Sequence, residues 1–186
     1  MRKLKLQVQM SIDGFISGPN GEMDWMTFNW DDEIKKYVKE ITNPVDCIVL
    51  GRKLAQGFIP HWAARPEGED PWGIDKMNDT QKVVFTKTLE GSEWENTTLA
   101  KGDLTEEIAN LKSGLGNDII AYGGGSFVSA LIKYGLIDEL NLFVNPVVLG
   151  AGMAIFKDVD SKQKFVLETS RAFSCGIVLI KYRKAT

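Results

Sequence analysis

The sequence contains few of the residues that usually build metal sites, disulfides or nucleophilic triads. Its 186 residues include one histidine, His61, and two cysteines, Cys47 and Cys175. The cysteines lie far apart and form no C-x-x-C pair, so both are interpreted as small hydrophobic residues in a reducing compartment. With a single imidazole available, we expect neither a bound metal nor a Ser-His-Asp triad.

A strong excess of one charge and a long apolar run are also missing. The 22 Lys and Arg residues nearly balance the 25 Asp and Glu residues, which gives a net charge of −3. Without a basic excess, neither nucleic acid nor an anionic membrane surface is an expected partner. No stretch approaches the roughly 18 apolar residues of a membrane span, and the N-terminal residues alternate instead of forming a signal peptide. We therefore predict a cytoplasmic protein.

The composition is that of a folded globular chain. Hydrophobic residues make up 44% of the sequence and aromatic residues 10%, which is enough for a sizeable core. No repeat, low-complexity tract or linker divides the sequence. The length favours one domain, and we predict a single domain over residues 1–186.

Two periodicities dominate the N-terminal part. Apolar residues at positions 4, 6, 8 and 10 alternate with polar residues at positions 3, 5, 7 and 9, which predicts a strand with one apolar face. From Trp30 to Ile41, apolar side chains recur at helical spacing and predict an amphipathic helix, with Asn29 as its cap. Asn43-Pro44 ends that helix. Residues 46–50 form a short apolar run typical of a strand covered on both faces.

The rest of the chain repeats these element types and then ends in strands. Further strands are predicted at residues 82–86, before Leu99 and at 118–122, and helices are predicted over residues 104–112 and after the glycines at 123–125. Residues 60–81 are predicted to be a long loop. The tail adds strands at 139–144, 164–173 and 176–183, with a hairpin at 174–176. This order predicts an α/β sandwich with a mostly parallel sheet and an antiparallel edge.

The strongest local signal is Gly123-Gly124-Gly125-Ser126, which lies between a predicted strand and a predicted helix. Glycines let the backbone approach a ligand closely, and the amides and positive dipole at a helix start attract an anion such as a pyrophosphate. The alternative is a tight strand-to-helix turn without a ligand. The run is not a G-x-G-x-x-G fingerprint, because Val128 stands where the third glycine belongs, and it lacks the lysine of a P-loop.

Cationic residues follow two of the predicted strands. Arg52 and Lys53 come directly after the strand at 46–50, and Lys87 follows the strand at 82–86. Open α/β sheets bind ligands beyond the carboxyl ends of their strands, so these three groups suit the 2′-phosphate that distinguishes NADP from NAD. Solvated surface charge is the alternative for each of them taken singly.

Acid–base chemistry has four aspartate candidates, Asp13, Asp24, Asp31 and Asp32. Asp31 and Asp32 open the first predicted helix and are our candidates for anchoring an N–H-rich heterocycle or supplying a proton. Complementing the positive end of that helix is the alternative explanation for both of them.

Five segments carry a family resemblance, and they occur in the order seen in the dihydrofolate reductase-like superfamily. They are SIDGFI at residues 11–16, GRK at 51–53, VVFTK at 83–87, GGGS at 123–126 and GLIDEL at 135–140. The last one, continuing to residues 146–152, looks most like the reductase domain of the bifunctional riboflavin-biosynthesis deaminase-reductase. The resemblance covers essentially the whole chain.

The resemblance implies a three-layer sandwich with a mixed central sheet of about eight strands and an antiparallel C-terminal hairpin. It also implies a bound NADPH and a small heterocyclic substrate. By position, Ile16 would lie beside the nicotinamide and Gly51, Arg52 and Lys53 would hold cofactor phosphates. Thr86 and Lys87 would lie near the adenosine 2′-phosphate, and Gly123, Gly124, Gly125, Ser126 and Phe127 would wrap the pyrophosphate.

The predicted function is an NADPH-dependent reductase of the riboflavin-biosynthesis type, acting on 5-amino-6-(5-phosphoribosylamino)uracil or a similar ribosylaminopyrimidine. Reduction of dihydrofolate or another pterin is the alternative substrate class. A nucleotide-binding protein without turnover is the alternative from another class, since a fold alone does not establish chemistry. We also predict a homodimer, formed through the strand-rich tail or through residues 60–81.

Overall fold

The computed structural model describes residues 1–185, which form eight strands and five helices. In chain order they are β1 (Leu4–Met10), α1 (Asp32–Thr42), β2 (Val45–Gly51), α2 (Arg52–Ala63), α3 (Pro71–Asp79), β3 (Gln81–Phe85), β4 (Thr97–Ala100), α4 (Leu104–Ser113), β5 (Asp118–Tyr122), α5 (Gly125–Lys133), β6 (Glu139–Val144), β7 (Phe165–Ala172) and β8 (Val178–Lys184). Within this described range, no helix is long and apolar enough to cross a membrane.

All eight strands belong to one sheet, in the order β4-β3-β2-β5-β1-β6-β8-β7. The first six strands in this order run parallel, whereas β8 pairs antiparallel with both β6 and β7. The predicted mixed sheet with an antiparallel C-terminal edge is therefore confirmed. The predicted hairpin is confirmed as well, since the Phe173 amide donates to the Ile177 carbonyl at 2.9 Å around Gly176.

Helices cover both faces of the sheet. On one face, Ile108 of α4 and Leu131 of α5 pack with Leu4 and Leu6 of β1. On the other face, α1 packs against β6 and β8, and α2 and α3 pack against β2, β3 and β5. Successive residues of β5 enter different clusters, as alternation along a strand requires. The carboxyl ends of the six parallel strands consequently meet at one edge, which we call the carboxyl edge.

The predicted apolar face of β1 is confirmed, since Leu4, Leu6, Val8 and Met10 are all buried in one cluster. β1 lies between β5 and β6 at the centre of the sheet. On its polar face, Lys5 is also buried; its Nζ forms an ion pair with Asp118 at 2.7 Å and donates to the Ile41 carbonyl at 3.2 Å. Because the polar residues find partners inside, an alternating pattern here marks a buried strand.

The prediction of a long loop over residues 60–81 is wrong. α2 continues through Pro60 to Ala63, and α3 fills Pro71–Asp79. Pro71 occupies the first turn of α3, where proline is tolerated because its missing N–H has no intrahelical partner. α3 buries only Ile74 and Met77. Two buried residues among Pro, Gly and acidic residues give too little apolar periodicity to predict a helix from the sequence.

The first helix begins two residues later than predicted, at Asp32, and its cap is Asp31 rather than Asn29. The Asp31 carboxylate accepts the Ile34 amide at 2.9 Å. Trp30 instead packs in the core, where its ring stacks on Phe143 at a centroid distance of 6.5 Å. An apolar residue at the start of the pattern thus belongs to the loop before the helix.

Two buried tyrosines in different parts of the core, Tyr122 and Tyr37, provide a test of this packing. In the described range, the Tyr122 and Thr42 hydroxyls are both buried and neither makes a hydrogen bond of normal geometry; burial raises the pKa of Tyr122. Tyr122→Phe should therefore raise the free energy of unfolding by about 1 kcal/mol, because an unpaired buried polar group costs stability. In Tyr37→Phe, by contrast, the lost hydroxyl donates to Asn141 Oδ1 at 3.1 Å, so stability should fall by about 1 kcal/mol. Urea unfolding of both variants measures the difference, and equal losses would contradict the prediction.

Candidate functional site

The triglycine loop leaves the carboxyl end of β5 and leads directly into α5. Gly123 and Gly124 have φ angles of +56° and +83°, in the left-handed region that favours glycine. Gly124 is the N-cap of α5, and no side chain caps this helix among the described residues. The first amides of a nine-residue helix are therefore left for another hydrogen-bond acceptor.

The start of α5 packs tightly against the end of β2. A Cβ on Gly51 would lie 2.7 Å from Phe127 Cβ, so this close approach requires glycine. The Phe127 ring also lies 5.0 Å, centroid to centroid, from the Phe85 ring at the end of β3. Gly51 and Phe85 are register partners. The ends of β2, β3 and β5 thus form one continuous surface with the triglycine loop.

The predicted cationic residues follow β2 and β3 at the carboxyl edge, and two of them, Arg52 and Lys87, hydrogen-bond to neighbouring protein groups. Arg52 donates to Gln56 Oε1 at 3.2 Å, and Lys53 is exposed. Lys87 Nζ donates to the carbonyls of Lys101 and Gly102 at 2.6 and 2.7 Å. These hydrogen bonds leave Lys87 with one N–H for a ligand, since an ammonium group has three donors.

Thr86 organises the turn that follows β3. Its Oγ1 accepts the amides of Thr88 and Leu89 at 3.1 and 3.0 Å, and its side chain is buried. The threonine therefore fixes the backbone from which Lys87 extends.

Loops after β1 and β6 are joined at the same edge. The Ile16 amide donates to the Met153 carbonyl, and the Met153 amide donates to the Ser17 carbonyl, both at 2.9 Å. A Cβ on Gly152 would overlap the Ser17 carbonyl oxygen, and one on Gly125 would overlap the Met153 sulfur. The three loops after β1, β5 and β6 therefore pack as a unit.

Two predicted site residues belong to the loop after β1. The Asp13 carboxylate accepts the amides of Leu149 and Gly150 at 3.1 and 2.7 Å. Hydrogen bonding from Ser11 and from these amides lowers the pKa of Asp13, which suits a structural clamp better than a proton donor. Ile16 is 8% exposed and packs in the core that β1 shares with α5.

The structure gives Asp31 a structural role. One oxygen accepts the Ile34 amide, and the other accepts the Ser174 hydroxyl at 2.6 Å. Hydrogen bonding from Ser174 and then from Ile34 lowers the pKa of Asp31. Asp32 is exposed in the first turn of α1. No hydrogen bond or ion pair between described residues connects either aspartate to the triglycine loop.

Sequence reasoning missed an apolar rim at the carboxyl edge. Ile12, Phe28 and Val148 are 62%, 70% and 65% exposed. They lie on the loops after β1 and β6, which are joined by a hydrogen bond from the Ile12 amide to the Val147 carbonyl at 2.8 Å. The sequence signal that could have revealed this rim is the presence of large apolar residues within turn-forming segments. Exposed apolar side chains beside a polar loop favour a planar, partly apolar ligand.

Two cavities lie elsewhere and include none of the predicted site residues. One, of about 390 Å³, surrounds Gly135 at the end of α5. The other, of about 440 Å³, lies over Leu140, Leu142 and Tyr182.

Comparison with known proteins gives consistent results. A protein of Bacillus subtilis (strain 168), the uncharacterized protein YyaP, is 35% identical over 97% of this chain and 94% of its own length. The deaminase/5-amino-6-(5-phosphoribosylamino)uracil reductase of Thermotoga maritima superimposes with a TM-score of 0.70 at 20% identity, over 99% of this chain and 57% of that one. Dihydrofolate reductase of Enterococcus faecalis, complexed with NADP(H), gives a TM-score of 0.63 at 18% identity, over 99% and 97% of the two chains.

The two structural matches confirm the predicted dihydrofolate reductase-like fold, and at this level of identity they establish the fold alone. The family described as the RibD C-terminal domain matches residues 2–179. That match spans the triglycine loop, the three joined loops and most of the sheet. The chain therefore belongs to the RibD C-terminal domain family.

Proposed function

We propose that this protein is an NADPH-dependent reductase whose cofactor lies across the carboxyl ends of β2, β3 and β5. The observation that carries the proposal is the triglycine loop, where an uncapped helix start packs against the end of β2. Helix N-termini of this kind bind phosphate groups. Membership in a family named for RibD, and the fold shared with an NADP(H)-bound reductase, support the same cofactor.

The residues at this edge have the chemistry that such a cofactor needs. In the proposal, residues 123–127 hold the pyrophosphate through backbone amides, and Gly51, Arg52 and Lys53 lie beside the other phosphate oxygens. Thr86 and the remaining donor of Lys87 hold the 2′-phosphate. Ile16 provides an apolar wall for the nicotinamide from within the core. The missing Cβ of Gly123 leaves open space for a pyrophosphate, whereas the missing Cβ of Gly125 makes room for the Met153 sulfur.

The proposed substrate is a ribosylaminopyrimidine of the 5-amino-6-(5-phosphoribosylamino)uracil type. Bound NADPH supplies a hydride, and reduction of a sugar-derived C=N bond takes up one proton as well. Asp31 is proposed to act as a carboxylate that accepts an N–H of the heterocycle, since its lowered pKa makes it a poor acid. The apolar rim of Ile12, Phe28 and Val148 is proposed to cover the planar ring.

A fluorescence titration followed by an activity assay tests the function. NADPH should change the tryptophan fluorescence with a sub-millimolar Kd, and NADPH should then be oxidised when the ribosylaminopyrimidine is added. Dihydrofolate in place of that substrate tests the alternative reductase. Binding without oxidation of either substrate would favour a nucleotide-binding protein. If neither NADPH nor NADH binds, the reductase proposal fails.

The 2′-phosphate assignment makes a separate prediction. Lys87→Ala should lower the preference for NADPH over NADH by about tenfold to a hundredfold, because one charge-assisted hydrogen bond contributes about 1.5–3 kcal/mol. NADH affinity should stay the same, since NADH lacks that phosphate. Lys36→Ala on the exposed side of α1 is the matched control. An unchanged ratio in Lys87→Ala would show that other residues select the cofactor.

A further inference from the structure

We propose that Asn145 is a positioning residue that orders residues 22–31, the segment before α1, and thereby shapes the substrate side of the site. The inference rests on the proposed function for what this segment binds. That Asn145 orders residues 22–31 is inferred from its own hydrogen bonds. No role in the proposed cofactor contacts is assigned to Asn145, because those residues follow other strands.

Asn145 comes directly after β6 and is completely buried. Its Oδ1 accepts the Thr27 amide at 2.9 Å, and its Nδ2 donates to Gln9 Oε1 at 2.8 Å and to the Phe143 carbonyl at 3.2 Å. Its own amide donates to the Met10 carbonyl at 2.8 Å. One side chain thus uses its acceptor and both of its donors to connect the ends of β1 and β6 to a loop.

The segment that Asn145 holds has no helix or strand of its own. Thr27 is fixed from both sides, because Asn145 accepts its amide and Trp30 Nε1 donates to its carbonyl at 2.9 Å. Its neighbour Phe28 belongs to the apolar rim. The other hydrogen bonds of residues 22–31 lie within the segment or at its ends, Glu22 and Asp31, so its middle depends strongly on the bond to Asn145.

The strand order separates this segment from the proposed cofactor contacts. Asn145 follows β6, and β1 lies between β6 and β5, which carries the triglycine loop. A ligand on the apolar rim would therefore contact residues 22–31 beside the end of β6. A phosphate would contact the triglycine loop, which follows β5 on the other side of β1. Loss of the Asn145 hydrogen bonds should affect the first and spare the second.

Asn145→Ala is the principal variant, because it loses the Oδ1 that accepts the Thr27 amide together with both Nδ2 donors. It should raise the amide exchange rate of residues 22–31 by about tenfold or more, the factor that corresponds to loss of one buried hydrogen bond. The exchange of residues 123–131 should stay unchanged. The substrate KM should rise by about the same factor with a smaller change in kcat, and the NADPH Kd should stay within about twofold.

Two further variants keep the test decisive. Asn110→Ala, on the exposed face of α4, is the matched control and should change none of these quantities. Thr27→Pro removes the donor from the loop without changing the core, so it should reproduce the exchange and KM effects even if Asn145→Ala folds poorly. The proposal is overturned if exchange in residues 22–31 is unchanged, or if the NADPH Kd rises as much as the KM. Wild-type protein without NADPH binding would refute the proposed function, and the exchange data alone would then decide the role of Asn145.

Discussion

Ser126→Glu should weaken NADPH binding by about a hundredfold while leaving the protein at least as stable as before. Ser126 is exposed in the first turn of α5, next to the uncapped amides. A carboxylate there interacts favourably with the helix dipole, by about 0.3–1 kcal/mol. The same carboxylate competes with a pyrophosphate for the amides and repels its charge. A hundredfold effect corresponds to about 2.8 kcal/mol, about the size of a charge-assisted hydrogen bond plus repulsion.

The opposite signs of these two effects make the experiment specific. Ser126→Gln adds similar bulk without charge, so its effect on binding should be less than about tenfold, which corresponds to 1.4 kcal/mol. Fluorescence titration gives the NADPH Kd, and thermal unfolding gives the stability. If Ser126→Glu binds NADPH as well as wild type does, the phosphates do not lie at α5. If Ser126→Glu lowers both the NADPH affinity and the stability, the loop is misfolded and the loss of binding has that cause instead.

Gly152→Ala should cause the largest loss of stability among simple substitutions in the joined loops. The new Cβ would overlap the Ser17 carbonyl oxygen and lie 3.0 Å from two atoms of Phe15. The oxygen belongs to the backbone, so the loops must move apart and lose the hydrogen bonds around Met153. Overpacking costs about 1–3 kcal/mol and each lost hydrogen bond about 1 kcal/mol. A net loss of about 3 kcal/mol lowers the Tm by about 6–12 °C in a chain of this size.

Gly91→Ala is the matched control for this substitution. A Cβ on Gly91 meets nothing within 4 Å, and its φ is not in the left-handed region. Its stability should stay within about 0.5 kcal/mol of wild type. Calorimetry of both variants measures the contrast. Equal Tm values for the two would mean that the loops separate at no cost and are not packed as described.

The parallel strands could be predicted closely because their apolar runs are short and bounded. β5 and β6 match their predicted limits, and β3 is shifted by a single residue. α3 could not be predicted, because its two buried residues give almost no periodicity and its proline suggests a break. The cap of α1 was misplaced because Trp30 has the helical spacing but packs on Phe143 from the preceding loop. Tertiary contacts decide both cases.

The candidate site could be predicted as far as backbone features allow. Gly51 and the triglycine loop are visible in the sequence, because glycine reports close approach and left-handed backbone. The contacts of lysine side chains are not visible. Lys82 is buried with Nζ 2.8 Å from the carbonyls of Asn78 and Thr80, and burial lowers its pKa. Lys87 likewise meets two carbonyls. Which carbonyls end within reach of a long side chain depends on the assembled fold.

The central position of β1 has a consequence for synthesis on the ribosome. The strand is made first, yet its partners are β5, which begins at Asp118, and β6, which ends at Val144. A nascent chain that stops before these residues can pair only β2, β3 and β4 with one another. Such an intermediate exposes both edges of β1, and pairings over such long sequence separations form slowly. The strand that joins the two halves of the site thus keeps an unpaired edge until Val144 has been made.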